Sequence, residues 1–225
     1  MPIIPSPEDV LKDLSAFFPV GHAALDHGLY KAREFFEAQP NEKYRVPDPY
    51  LLSHLVRYYA IQVLETAGHS IKGPDDDKSY LRRIWIPNNG IFISCGHYNI
   101  RILKSDKGEP PAAGPSYRRQ AYYSQLYHQM PLPFVLEDDE WVTEPTNILL
   151  LWDAEPGYKL GKISLVCPKA GGLTKDSIEL YWRCVVPEST LVRPIEMPAF
   201  QGSADVIDLP LSLDMEAGSE ARNAE

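Results

Sequence analysis

Eight Lys and Arg residues fall between Lys78 and Arg119, against Asp106 and Glu109 as the acids of that stretch, a local balance of +6. The whole chain carries −9, so the remainder holds −15, gathered in Asp75-Asp76-Asp77, in Glu137–Glu140 and toward the C-terminus. Interleaved with the cations stand Trp85 and Phe92. Guanidinium and ammonium groups contact phosphates or carboxylates, and aromatic rings offer stacking platforms for bases. The candidate anion-binding set is therefore Arg83, Trp85, Phe92, Arg101, Lys104, Arg118 and Arg119. It points to an anionic partner, either a nucleic acid or an acidic protein segment. The negative total argues against wholesale coating of nucleic acid. The acidic tail offers an intramolecular competitor for the same cations.

A second constellation is thinner. Asp153 and Lys169 stand at predicted strand ends and Glu179 on the next strand, the residue types of a metal-dependent phosphodiester hydrolase. The one acid-x-lysine string, Asp76-Asp77-Lys78, falls in a predicted loop. HExxH, the P-loop pattern GxxxxGK[ST] and the GxSxG elbow are all missing from the chain. The leading reading accordingly assigns no catalytic residue, metal or cofactor. A third reading is a protein–protein interaction scaffold, since Trp and Arg are common interface anchors.

Cys95, Cys167 and Cys184 are widely spaced, odd in number and set in apolar strand patterns, as expected of small buried hydrophobes in a reducing compartment. No apolar run approaches the roughly 18 residues of a membrane span, and MPIIPSPEDV lacks the basic and apolar regions of a signal peptide. The expectation is a soluble, cytoplasmic protein that makes no membrane contact.

The elements that must position these residues are legible from caps and periodicity. Ser6-Pro7-Glu8-Asp9 predicts a capped helix start, with Val10, Leu11, Leu14, Phe17 and Phe18 at helical spacing. A second helix is predicted over about His22 to Ala38, with Gly28 as a weak point. Asp48-Pro49 opens a third, with Leu52, Leu55, Val56, Tyr59, Val63 and Leu64 on its apolar face and Gly68 at its C-terminal end. A compact helix–turn–helix of ordinary length is missing.

Strand alternation then fixes a register. A two-residue turn at Gly96-His97 sets Cys95 opposite Tyr98, Ile93 opposite Ile100 and Ile91 opposite Ile102, all on one face. The other face pairs Ser94 with Asn99 and Phe92 with Arg101. A turn at Pro87–Gly90 places Ile86 beside Ile91, Ile84 beside Ile93, Trp85 beside Phe92 and Arg83 beside Ser94. The result is a Trp85–Phe92–Arg101 row, which is either an open binding face or a surface covered by the next helix. That helix is predicted from Ser116, as N-cap, to about His128. Arg118 and Arg119 in its first turn oppose the helix dipole, which favours anion binding there as their role. Strands follow at about Asn147–Trp152, Leu160–Cys167 and Ile178–Val186.

The expected fold is α+β: N-terminal helices packed on a mainly antiparallel sheet of about six strands, one helix inserted between the sheet's halves, and a disordered acidic C-terminal tail. A helical portion (1–70) and a sheet portion (80–187) form one globular unit, and 188–225 is a proline-containing extension and tail.

Overall fold

In the computed structural model, which describes residues 4–68, 81–85, 91–115, 120–125 and 146–191, the chain opens with α1 (Pro7–Asp13). Its start is the predicted capping box: the Ser6 hydroxyl accepts from the Asp9 backbone N–H, and the Asp9 carboxylate accepts from the Ser6 N–H. All the described residues belong to one compact unit, Met1–Ile195. A second unit, Glu196–Glu225, and with it the predicted disordered tail, lies outside them.

The second helix, α2 (Phe17–Glu37), starts five residues earlier than predicted. Pro19 allows this because it sits in the first turn, where its missing N–H would have had no intrahelical acceptor. Phe17 and Phe18 thereby join Leu25, Leu29, Ala32 and Phe36 in the buried stripe of α2. After a short 3₁₀ turn, Glu42–Arg45, comes α3 (Pro49–Gly68), and the Asp48 carboxylate caps it by accepting from the N–H groups of Tyr50 and Leu51.

Gly28, a weak point by propensity, is required by packing. A Cβ there would stand 2.5 Å from the Val56 carbonyl oxygen, so the glycine lets α2 and α3 approach backbone to backbone.

The strands are β1 (Leu81–Trp85), β2 (Ile91–Cys95), β3 (Tyr98–Lys104), β4 (Thr146–Glu155), β5 (Lys159–Ala170) and β6 (Glu179–Val185), and they lie side by side in that order. Of β1, and of Gly68, only the backbone is described. The β2–β3 hairpin has the predicted register, from Cys95 opposite Tyr98 to Ile91 opposite Ile102. Between β1 and β2, Arg83 pairs with Ser94, Ile84 with Ile93 and Trp85 with Phe92. Ile86 and the Pro87–Gly90 turn lie outside the described residues.

Every pairing is antiparallel except β3–β4, which is parallel and aligns Asn99 with Asn147, Arg101 with Leu149 and Lys104 with Trp152. The architecture is thus α+β with a mixed sheet. Helices α1–α3 cover one face, where Ile93, Ile100, Ile102, Leu150, Trp152 and Leu165 meet Leu14, Phe17, Leu25 and Val56. Central β4 is buried on both faces, as its unbroken apolar run implies.

The helix predicted over Ser116–His128 is corrected. Residues 116–119 and 126–128 lie outside the description. Of those between, Gln120 and Ala121 are helical, and residues 122–125 form turns and a bend.

Two ties fasten α1 to the sheet. The Tyr98 hydroxyl donates to the Asp13 carboxylate at 2.7 Å, and the Trp182 indole N–H donates to the Pro5 carbonyl at 2.9 Å. Burial, and next the bond to Asp13, hold the Tyr98 phenol above its ordinary pKa of 10.0.

Two outcomes are expected. Gly28→Ala removes a helix penalty of about 1 kcal/mol but drives a methyl into backbone, an overpacking cost of about 1–3 kcal/mol. Urea titration is therefore expected to show net destabilisation. Second, the folded state holds the Tyr98 proton more tightly than the unfolded state does. Stability is then lost as pH rises above the unfolded value of 10.0. Urea midpoints measured at successive pH values should fall less steeply above that point in Tyr98→Phe than in the parent.

Candidate functional site: the basic and aromatic face

The face of the sheet turned away from α1–α3 carries two cross-strand rows. One runs Trp85–Phe92–Arg101–Leu149–Val166 and the other Arg83–Ser94–Asn99–Asn147. The predicted order of residues is present, but part of this face is interior. Phe92 is 1% exposed, within a second apolar cluster that includes Leu149, Leu151, Val166, Tyr122 and Tyr123, and its cross-strand partner Arg101 is 7% exposed.

Tyr122 is the lid over the row. Its ring centroid lies 4.7 Å from that of Phe92, and the Arg101 guanidinium sits 4.8 Å over the same ring. A desolvated cation–π contact of this kind contributes on the order of 2 kcal/mol. Of the two alternatives the sequence leaves for this row, an open face or a covered one, Phe92 and Arg101 take the covered one. Lys104, at the end of β3, is half-buried. Arg118 and Arg119 lie outside the described residues, as do the side chains of Arg83 and Trp85.

The cover is the chain that leaves β3, and it is held at several points. Lys175 pairs with Asp106. Arg183 on β6 bridges to Glu109 at 2.9 Å and donates to the Gly108 carbonyl. Farther on, the Ala113 N–H donates to the Gly172 carbonyl at 2.7 Å, and the Tyr123 hydroxyl donates to the Pro111 carbonyl. Tyr123 fits because Gly172 has no side chain; a Cβ there would come within 2.8 Å of the ring.

Gln125 closes the far end. Continuing the β4–β5 register would set Asn147 opposite Pro168, but the last pair before that point is Leu149 with Val166. Proline has no N–H to donate to the ladder. The Gln125 side-chain amide takes the missing strand's place: it accepts from the Asn147 N–H at 2.9 Å and donates to the Asn147 and Pro168 carbonyls at 2.9 and 2.8 Å. The Asn147 side chain in turn donates to the Ser124 carbonyl at 2.7 Å. Two buried polar atoms beside it have no hydrogen-bond partner, the Asn99 amide nitrogen and the Asn147 amide oxygen.

The hydrolase constellation does not assemble. Lys169 and Glu179 form an ion pair at 2.9 Å. Asp153, however, sits in the β4 bulge across from Gly161 and Lys162, seven positions along β5 from Lys169 and so roughly 20 Å away. Among the described residues no group of three His, Cys, Asp or Glu comes together. Cys95 and Cys167 are buried, and burial pushes the Cys167 thiol up to about 12, where little thiolate forms.

The sequence reading missed Gln125 and the Lys175 and Arg183 anchors. Pro168 inside a strand pattern was the available signal, because it announces a backbone carbonyl in need of another donor. Gln125→Leu should strip the Asn147 N–H and carbonyl of their partner and destabilise the fold by about 2–4 kcal/mol, read by urea denaturation.

A scan of family models, a search of curated proteins and a search of solved structures each found no match for this chain.

Proposed function

We propose that this is a non-enzymatic binding or regulatory protein for an anionic partner, a nucleic acid or an acidic protein segment. The contacts on this reading are Lys104 and Lys107, with Arg118, Arg119, Arg83 and Trp85 as the further candidates from the sequence. The observation that carries it is a division among the cations. Lys169, Lys175 and Arg183 are each matched to an acid, whereas Lys104 and Lys107 have no carboxylate within ion-pair distance among the described residues. Lys107 is exposed in the turn that follows β3, with φ at 56°, and Lys104 is three residues before it. Unmatched cations near a surface are the groups that a phosphate or carboxylate can recruit at little desolvation cost.

A scaffold is the second reading. Tyr30 and Phe35 on α2 and Tyr50 and Tyr58 on α3 favour it, since all four are exposed aromatic residues.

Titration of a fluorescent oligothymidylate at rising salt tests the first reading. Affinity is expected to fall steeply with salt, and Lys104→Gln/Lys107→Gln to lower the log–log slope by about 1–2. An Arg118→Gln/Arg119→Gln pair should act in the same direction. Poly-glutamate run in parallel separates an acidic protein segment from nucleic acid. A salt-insensitive result untouched by all four substitutions removes the anionic reading and leaves the scaffold.

A further inference from the structure

We propose that the four-residue turn Asp106–Glu109 is a phosphate-binding finger with Lys107 at its tip, and that Lys175 and Arg183 are positioning residues that serve it without touching the phosphate. The inference rests on the anionic-partner reading and names both the group bound and the side chains that prepare the site.

The backbone of the turn is the first sign. Asp106 and Glu109 exchange both backbone hydrogen bonds, at 2.9 and 3.1 Å, which leaves Lys107 and Gly108 as the central residues of a tight hairpin turn. Both have positive φ, 56° and 85°. A turn of this type favours Asn-Gly, because an asparagine side chain tolerates the left-handed region, whereas lysine gains nothing locally from it. Gly108 fits that rule and Lys107 departs from it. Residues held in sparsely populated conformations cluster where function requires them. Here the departure places an exposed ammonium at the tip of the hairpin.

Charge is the second sign. By itself the turn carries two carboxylates against one ammonium, a net charge of −1 that would repel an anion. The structure removes that obstacle. Lys175 holds the Asp106 carboxylate, and Arg183 holds that of Glu109 at 2.9 Å while also donating to the Gly108 carbonyl. The Ser105 hydroxyl accepts from the Gly108 N–H at 3.3 Å, which fixes the turn from the strand side. With Lys175 and Arg183 included the group carries +1, and Lys107 is its one cation without a carboxylate within ion-pair distance among the described residues.

The type of the free cation selects the ligand. A planar guanidinium matches a carboxylate through paired hydrogen bonds, and the Arg183 guanidinium is already engaged. An ammonium acts as a point charge with three donors, which suits the tetrahedral oxygens of a phosphodiester. The partner on this argument is a nucleic-acid backbone, which presents such a group at every nucleotide.

Fluorescent oligothymidylate binding and urea denaturation, run on the same variants, test the finger. Lys107→Asn is expected to raise the urea midpoint, since it supplies the favoured turn residue, and to lower affinity several-fold. A residue kept for the fold would show a lower midpoint, and a residue outside the site an unchanged affinity; either result overturns the finger. Lys175→Gln/Arg183→Gln should also weaken binding several-fold in the parent. It should lose most of that effect in an Asp106→Asn/Glu109→Gln background, where no acid remains to be withheld. Equal loss in both backgrounds means that the two cations meet the phosphate themselves, and overturns their positioning role. Poly-glutamate bound as tightly as oligothymidylate, with the same dependence on Lys107, overturns the phosphate assignment. Binding that survives Lys107→Asn but not Arg118→Gln/Arg119→Gln removes the finger and leaves the anionic-partner reading standing. A parent that binds neither polymer removes both.

Discussion

The parallel pairing of β3 with β4 is the constraint from which the rest of the sheet's second face follows. Two antiparallel neighbours can be joined by a tight turn, whereas two parallel neighbours require the chain to travel back along the sheet before the next strand begins. Here the chain leaves β3 at Lys104 and returns at Thr146. The first face is already filled by α1–α3, so the described part of the connection passes over the other one, bringing Pro111, Tyr122 and Tyr123 onto Phe92, Leu149 and Val166. The burial of Arg101 is a consequence of topology as much as of its own neighbours.

The hairpin was legible because strict alternation leaves only one register that sorts apolar from polar side chains, and β2 and β3 adopt it. The helix starts were legible because Ser6, Asp9 and Asp48 have short side chains suited to free backbone N–H groups. The side of the sheet taken by the connection was not. It is set by contacts distant in sequence: a proline in β5 that needs a donor, a glycine at 172 that admits a ring, and an arginine on β6 that holds Glu109. Residues 122–125 were read as a continued helix, but their hydrogen bonds run to the sheet and to neighbouring loop residues rather than along a helix axis. The candidate hydrolase residues failed for a related reason. Sequence places Asp153 and Lys169 each near a strand end, but the antiparallel pairing of β4 and β5 puts those two ends at opposite ends of the strand pair.

The described cations of the positive stretch stand in two environments, and its two acids are paired with cations from elsewhere. Arg101 is interior and lies against an aromatic ring. Lys175 and Arg183, outside the charged stretch itself, neutralise its two acids, Asp106 and Glu109. Lys104 and Lys107 keep their charge without an acid beside them among the described residues. Once its acids are occupied by cations from elsewhere, the stretch is more positive in effect than its own composition suggests.

The bond from the Trp182 indole to the Pro5 carbonyl spans 177 positions of sequence. Synthesis runs from the N-terminal side, so α1 is made well before its sheet anchor on β6. During that interval Val10 and Leu14, both fully buried in the finished protein, lack the strand beside which α1 finally lies. A helix of seven residues has little stability alone. The Ser6–Asp9 box matters most in that period, because it biases the segment toward its final shape before the tertiary partner exists.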